Sequence, residues 1–351
     1  MNSEQIYEGR TLVGDAFEEQ NVQIVVTNGE ISAIEEISHV PDVWIFPGFF
    51  NAHTHLGDTI ALDIDAPGTL SELVAPPDGL KHRLLRESSP DTCVEAMQAS
   101  IQTMTKSGVL GFADFREGGI SGVKYLEKAN AECPLDSVIF GRDGGEAVSD
   151  GLGISSTRHY GKELSGIIDT ARANGKKIAF HAGEKDSKDV ETALSFDPDM
   201  LVHCTHATSA QIRTIADAGI PVVICPRSNW RLGVTSSRHN PPIHEMLAAG
   251  VELFLGTDNV MFVQPDIAAE MAFCHYVYGI DAIDLLRMAT AGSRLAEKDY
   301  TINKGNDARF IRLNTARSNA KYSKCMVNTI ISRLNPSDLE GSLLTYNLQH
   351  L

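Results

Sequence analysis

"IFPGFFNAHTHLGDT", residues 45–59, sets His53 and His55 one residue apart behind an apolar run and a Pro-Gly pair. In an extended strand, residues i and i+2 point to the same face. Both histidines can therefore face one side of a sheet near the strand's end. Two readings follow. Either they are a pair of metal ligands at the mouth of a barrel, or they are unrelated polar residues that close a buried strand. The rest of the chain decides between them.

Outward from this stretch, apolar runs recur. WIFPGFF (44–50) is followed by VLGFADF (109–115), SVIFGR (137–142), a weaker GLGIS (151–155) and KIAFHAG (177–183). MLVHCTH (200–206), IPVVICP (220–226) and ELFLGTD (252–258) complete the set. Short continuous apolar runs suit strands buried on both faces. Helical patterns lie between them. "DTCVEAMQASIQTMTKSG" (91–108) runs from an Asp cap to a Gly stop, and "SAQIRTIADAGI" (209–220) puts Ile212, Ile215 and Ala216 on one face ahead of Gly219. This alternation over about 250 residues predicts an α/β fold, a (β/α)8 TIM-like barrel spanning 44–305. A doubly wound sheet also alternates, so the count alone leaves that architecture open.

The two ends of the chain read differently. "QIYEGRTLVG" and "VQIVVTNGEISAIEEI" are strand-like, and Asn28-Gly29 is a hairpin signal. "DARFIRLN", "CMVNTIISRLN" and "SLLTYNLQHL" near the C-terminus look similar. Residues 1–43 and 306–351 are therefore expected to form one small composite β-sandwich. Between Asp58 and Pro90 lies the longest link, and "PPDGLKHRLLRES" within it is a lid candidate.

Composition narrows the function. The formal net charge is −16 and the acidic residues are dispersed. That disfavours nucleic acid and anionic membrane, which bind basic surfaces. No apolar stretch approaches the ~20 residues of a membrane span, and "MNSEQIYEGR" is not a secretory signal. A cytoplasmic protein is expected, with self-association left open. None of the six cysteines forms a Cys-x-x-Cys pair, so they read as reduced thiols. Neither a P-loop nor a complete dinucleotide loop is present.

In a barrel, catalytic groups gather at the C-terminal ends of strands. The polar residues there are His53 and His55, then His181 with Glu184, His203 with His206, and Asp258. Imidazole nitrogen suits Zn²⁺ or Fe²⁺, and His181 and Asp258 can add a third nitrogen and an oxygen. Such a set leaves room for a water whose pKa falls toward about 7 on zinc. Glu184 is near enough in sequence to His181 to accept its proton, and His203 can hydrogen-bond the developing anion. Taken singly, each residue has a plainer explanation: a core histidine, a helix cap at Asp258, a solvated loop at Glu184. Their recurrence at the same position on several strands favours the metal. Among the cations near the presumed mouth, Arg116, Arg227 and His82 are the candidate substrate contacts. Arg142 and Lys81 lie nearby in sequence.

The motifs PGFFNAHTH, HAGE, LVHCTH, CPRSN and GTDN, in that order over about residues 45–260, resemble the amidohydrolase superfamily. More narrowly, they resemble its branch of cytosine, guanine and S-adenosylhomocysteine deaminases and triazine hydrolases. The resemblance implies metal ligands His53, His55, His181 and Asp258. It implies that Glu184 shuttles protons, that His203 orients water, and that Asp258 also takes a proton. The fourth strand offers no lysine to bridge two metals, which points to one divalent ion, zinc first and iron second. The expected activity is hydrolysis of a non-peptide C–N bond, most simply deamination of an N-heterocycle. Cleavage of a cyclic amide or another aromatic leaving group on the same barrel is the alternative. A non-catalytic metal- or ligand-binding protein is the alternative of another class.

Overall fold

The computed structural model describes residues 4–64, 70–74, 76–316 and 318–342. The apolar runs form parallel strands, nearly all buried. The first barrel strand is Phe49–His55, the second Val109–Arg116, the third Asp136–Gly141 and the fourth Gly151–Ile154. The fifth is Lys177–Ala182, the sixth Met200–His203 and the seventh Val222–Ile224. The eighth comes in two pieces, Leu253–Leu255 and Asp258–Asn259.

Those two pieces close the barrel. Leu253–Leu255 pairs with the seventh strand, and Asp258–Asn259 pairs with the first, Asp258 opposite Thr54. Between them, Gly256 N donates to Ile224 O and Thr257 N donates to His53 O, each at 3.0 Å. Asn51 locks the join: its amide donates to Thr257 Oγ1 at 2.8 Å, and its carbonyl accepts from Thr257 N at 3.1 Å. A Cβ on Gly256 would lie 2.7 Å from His53 Cβ, so only glycine lets the eighth strand approach the first. Alternate residues such as Ala113, Phe115, Val138, Phe140, Ala179 and Val202 cluster together and fill the interior.

The strand-like run WIFPGFF is divided at Gly48. Val43–Pro47 belongs to the small sheet, pairing with Glu4–Val13 and Phe310–Asn314, while Phe49 begins the barrel. Proline and glycine break the strand where it changes sheets. The small sheet has six strands, in the order Leu339–Ser342, Phe310–Asn314, Val43–Pro47, Glu4–Val13, Glu18–Thr27, Glu30–Glu36. Both chain ends contribute to it, and among the described residues it is one sheet. Asn28 and Gly29 form the expected hairpin turn, both with positive φ.

Two local expectations are corrected. CMVNTIISRLN is not a strand but contains the helix Met326–Arg333. Its buried residues, Met326, Val327, Ile330 and Ile331, share one helical face, which packs on the helices Ile267–Phe273 and Ala282–Ala291. The helix expected from Asp91 starts at Pro90, and Ser89 caps it by accepting from Thr92 N. Of SLLTYNLQHL, only Ser342 lies among the described residues. Within the lid candidate, Leu80–Glu87 is a helix that buries Lys81 and His82. No helix among the described residues is long and apolar enough to cross a membrane.

Candidate metal centre

The first strand brings its histidines to the interior by a change of register. Phe50 and Ala52 join the interior cluster, yet the rings of His53 and His55 both approach that of His181. The pairing with the second strand shifts between Asn51 and Thr54. This irregularity turns the odd-numbered residues inward at the strand's end. His181 follows Ala179 on the same face of the fifth strand. Asp258 arrives from the eighth strand with φ 62°, a left-handed conformation that a non-glycine residue adopts at a cost.

One nitrogen from each of His53, His55 and His181 and one oxygen of Asp258 all lie within 4.8 Å of one another. Asp258 Oδ1 is 3.2 Å from His53 Nε2 and 3.4 Å from His55 Nε2. The opposite nitrogens are anchored. His181 Nδ1 meets Ile154 O at 2.9 Å, and His55 Nδ1 meets Glu117 Oε1 at 2.9 Å and Phe115 O at 3.1 Å. These bonds put the proton on Nδ1 and leave Nε2 with a free lone pair.

The electrostatics suit a cation. Burial pushes His53 down to about 4, and burial followed by Lys81 pushes His55 down to about 3. His181 falls well below the usual histidine range through burial and the surrounding imidazoles. Three neutral imidazoles therefore face the centre at neutral pH. Burial raises Asp258, but the hydrogen bond with His53 leads the effects that hold its carboxyl well below the ordinary range. Ser228, from the CPRSN motif, donates to Asp258 Oδ2 at 2.7 Å. His53 is wholly buried, and its Nδ1 has no hydrogen-bond partner. Clustered lone pairs beside one negative charge are a donor set for a single divalent ion.

Beside this group stands a second one, Glu184, His203 and Asp258, whose ligand atoms also lie within 4.8 Å of one another. His203 Nε2 is 3.8 Å from Glu184 Oε1. His203 has φ 75°, which breaks the alternation of the sixth strand and brings its ring near those of His53 and His181. Burial raises the Glu184 carboxyl above its ordinary value, although His203 counteracts it. A carboxyl so tuned can take and return a proton.

Behind the histidines runs a buried ionic network. Lys81 Nζ lies 2.8 Å from Glu117 Oε1 and 3.2 Å from Asp58 Oδ2. Arg116 joins Glu117 Oε2 at 2.7 Å and Asp114 Oδ1 at 3.3 Å. Burial works against the Lys81 charge, but Asp58 and Glu117 outweigh it and raise its pKa. Burial lifts Asp58 to about 7 despite Lys81.

The pocket over the centre is lined by His55, His181, Glu184, His203 and Asp258, together with Lys81, Arg142, Ser155, Arg158 and Lys185. The three expected substrate contacts do not line it. Arg116 is turned into the wall, where Asp114 and Glu117 hold it. Arg227 is paired with Glu270 and also donates to Gln264 O and Asp266 O. His82 binds Val74 O at 3.2 Å. His206, at 3.2 Å from Val234 O, has a backbone partner. Sequence reasoning missed Arg158, Lys185 and the part played by Glu117. The parity of the second strand was the available signal: Ala113 and Phe115 face inward, so Arg116 faces outward and Glu117 inward.

Known proteins resemble this chain in sequence and in fold. The profile of the Amidohydrolase family matches residues 44–333. A putative aminohydrolase of Methanothermobacter thermautotrophicus is 32% identical over 355 residues, covering 89% of this chain and 91% of the relative. An adenine deaminase of Chelativorans sp. is 27% identical over 266 residues, covering 74% and 78%. The crystal structure of an adenosine deaminase from Xanthomonas campestris with bound zinc superposes with a TM-score of 0.78 at 15% identity, covering 98% of this chain and 97% of that one.

Proposed function

The chain belongs to the amidohydrolase family, and from that premise we propose that it is a mononuclear zinc aminohydrolase that deaminates an aminated N-heterocycle. The observation that carries this reading is the buried convergence of His53, His55, His181 and Asp258 beside Glu184 and His203. Three nitrogens and one carboxylate oxygen favour zinc over the harder cations, with iron as the alternative ion. A divalent ion in this place supplies Lewis acidity that makes water nucleophilic near neutral pH. The named relatives, an aminohydrolase and an adenine deaminase, support amine release as the reaction.

The chain's own groups supply the proton traffic. Glu184 Oε1 accepts the proton that water loses on attacking the carbon that bears the amino group. The same carboxyl then returns a proton to the departing nitrogen, which leaves as ammonia. His203 Nε2, in reach of Glu184, donates to charge that develops on the attacked ring. Asp258, held by Ser228, keeps its negative charge beside the imidazoles and offers a second acceptor for a proton from water.

The test has two arms. Elemental analysis of wild type, His181→Ala and Asp258→Ala should show about one zinc per chain in the first and a loss in both variants. Undiminished metal in both variants defeats the ligand assignment. Ammonia release is then measured over purines, pyrimidines, pterins and triazines. Hydrolysis of a cyclic amide without ammonia would move the protein to another reaction on the same barrel.

A further inference from the structure

Arg142 follows the third strand and is one of the cations lining the pocket. It is 3% exposed, yet its Nε and Nη2 have no hydrogen-bond partner. Its one ion pair among the described residues is a loose contact, Nη1 to Glu117 Oε1 at 4.0 Å. That oxygen is already taken by Lys81 and His55 at 2.8 and 2.9 Å. The Phe115 ring supports the guanidinium, whose central carbon lies 5.9 Å from the ring centroid.

A buried guanidinium with open donors is costly unless something completes it. The open donors are not scattered. Nε and Nη2 form one side of the guanidinium fork, the edge that takes two oxygens of a carboxylate or phosphate at once. The surroundings match an anion. Lys185, exposed at the rim, and Lys81, which Glu117 and Asp58 already pair, line the same pocket. Of the pocket's carboxylates, Glu184 and Asp258 belong to the metal centre. Asp189 is bound by Gly183 N and Ser156 Oγ. Arg142 is thus the buried pocket cation whose donors are left open.

We propose that the heterocycle carries an anionic substituent, a carboxylate or a phosphate, that docks on the Nε–Nη2 edge of Arg142. This rests on the pocket being the substrate site of the deamination argued above. The docked oxyanion would lie at the pocket wall beside His181, so the amino-bearing ring extends from it toward Glu184 and Asp258.

The test uses the zinc-loaded protein, with inorganic phosphate and acetate as probes in titration calorimetry. Wild type should bind at least one of them. Arg142→Gln should weaken that binding by about ten- to a hundredfold, the worth of hydrogen bonds to a charged group. Arg142→Lys keeps the charge but not the fork and should recover only part; it also carries the comparison if the glutamine variant does not fold. Binding that is equal in wild type and both variants, or absent with both probes, overturns the proposal.

A kinetic arm separates the two readings. Ammonia release is compared for adenosine against its 5′-monophosphate, and for pterin against pterin-6-carboxylate. A higher kcat/KM for one anionic member, with a preference that shrinks at least about tenfold in Arg142→Gln, supports the proposal and identifies the anion. Preference for the neutral members overturns it and leaves deamination standing. Anion binding that depends on Arg142, with no ammonia from any pair, supports the anion site and counts against deamination.

Discussion

Glu117 Oε1 lies 2.9 Å from Nδ1 of His55, which leaves Nε2 of the same ring 3.4 Å from Asp258 Oδ1. The carboxylate thus selects the tautomer that a metal requires and makes the imidazole a stronger donor. Lys81 and Arg116 hold Glu117 in turn. Burial raises its pKa, but Lys81, His55 and Arg116 outweigh it and keep the group ionised. Glu117→Gln should lower zinc affinity by about 10- to 100-fold, the usual effect of losing such an orienting partner. Competition with a chromogenic chelator measures this directly, and unchanged affinity would show that Phe115 O alone orients the ring.

Glu184 is set apart from the ligand group by its neighbours and not by distance. It lies within 4.8 Å of His203 and Asp258, but the buried donor set of three imidazoles and Asp258 is complete without it. Glu184→Gln preserves shape and removes the proton acceptor. Zinc content should remain that of wild type while kcat falls by about 10²- to 10⁴-fold, the span of general acid–base catalysis. Loss of metal along with activity would make Glu184 a ligand.

Much of this centre was legible because its residues sit at strand ends, where local spacing reports direction. His53 and His55 share a face by alternation, and His181, His203 and Asp258 close apolar runs. What the sequence hid is which groups pair with which, near or far along the chain. Arg116 looked free in ADFREGG, but Asp114 on the same strand and Glu117 just after it claim it. Arg227 looked free in CPRSN, but Glu270 arrives from a helix 43 residues later. Arg142 and Lys81 differ only in their pairing, which no local pattern encodes. CMVNTIISRLN misled because β-branched residues in a short run fit either period, and packing against two helices decided for the helix.

Gly256 couples barrel closure to the centre. A methyl group there would lie 2.7 Å from His53 Cβ and 2.9 Å from His53 N. The first and eighth strands would have to separate, drawing His53 from Asp258. Gly256→Ala should lose about 1–3 kcal/mol of stability, the range for overpacking a close-packed site. Thermal melts with and without zinc test this. The variant should melt lower in both, and zinc should stabilise it less than wild type because the ligands no longer converge.

At the opposite end of the barrel, Asp136 opens the third strand and ties Tyr300 and Arg309 to it. Arg309 donates to both of its oxygens, at 2.8 and 3.1 Å, and Tyr300 Oη donates at 2.8 Å. Burial raises the Asp136 carboxyl, but these bonds outweigh it and hold the pKa below the ordinary value of 3.8. A carboxyl depressed by folding stabilises the native state fully above its unfolded pKa, and the contribution disappears as pH falls through the folded one. Asp136→Asn should therefore cost about 1–2 kcal/mol at pH 7, the scale of a charged hydrogen bond at a partly buried pair. The difference from wild type should narrow as pH falls below about 4, because both proteins then carry a neutral group. Urea melts at pH 7, 5 and 3 measure the gap, and a gap that stays constant over that range would mean that the lost contacts, and not the charge, carry the effect.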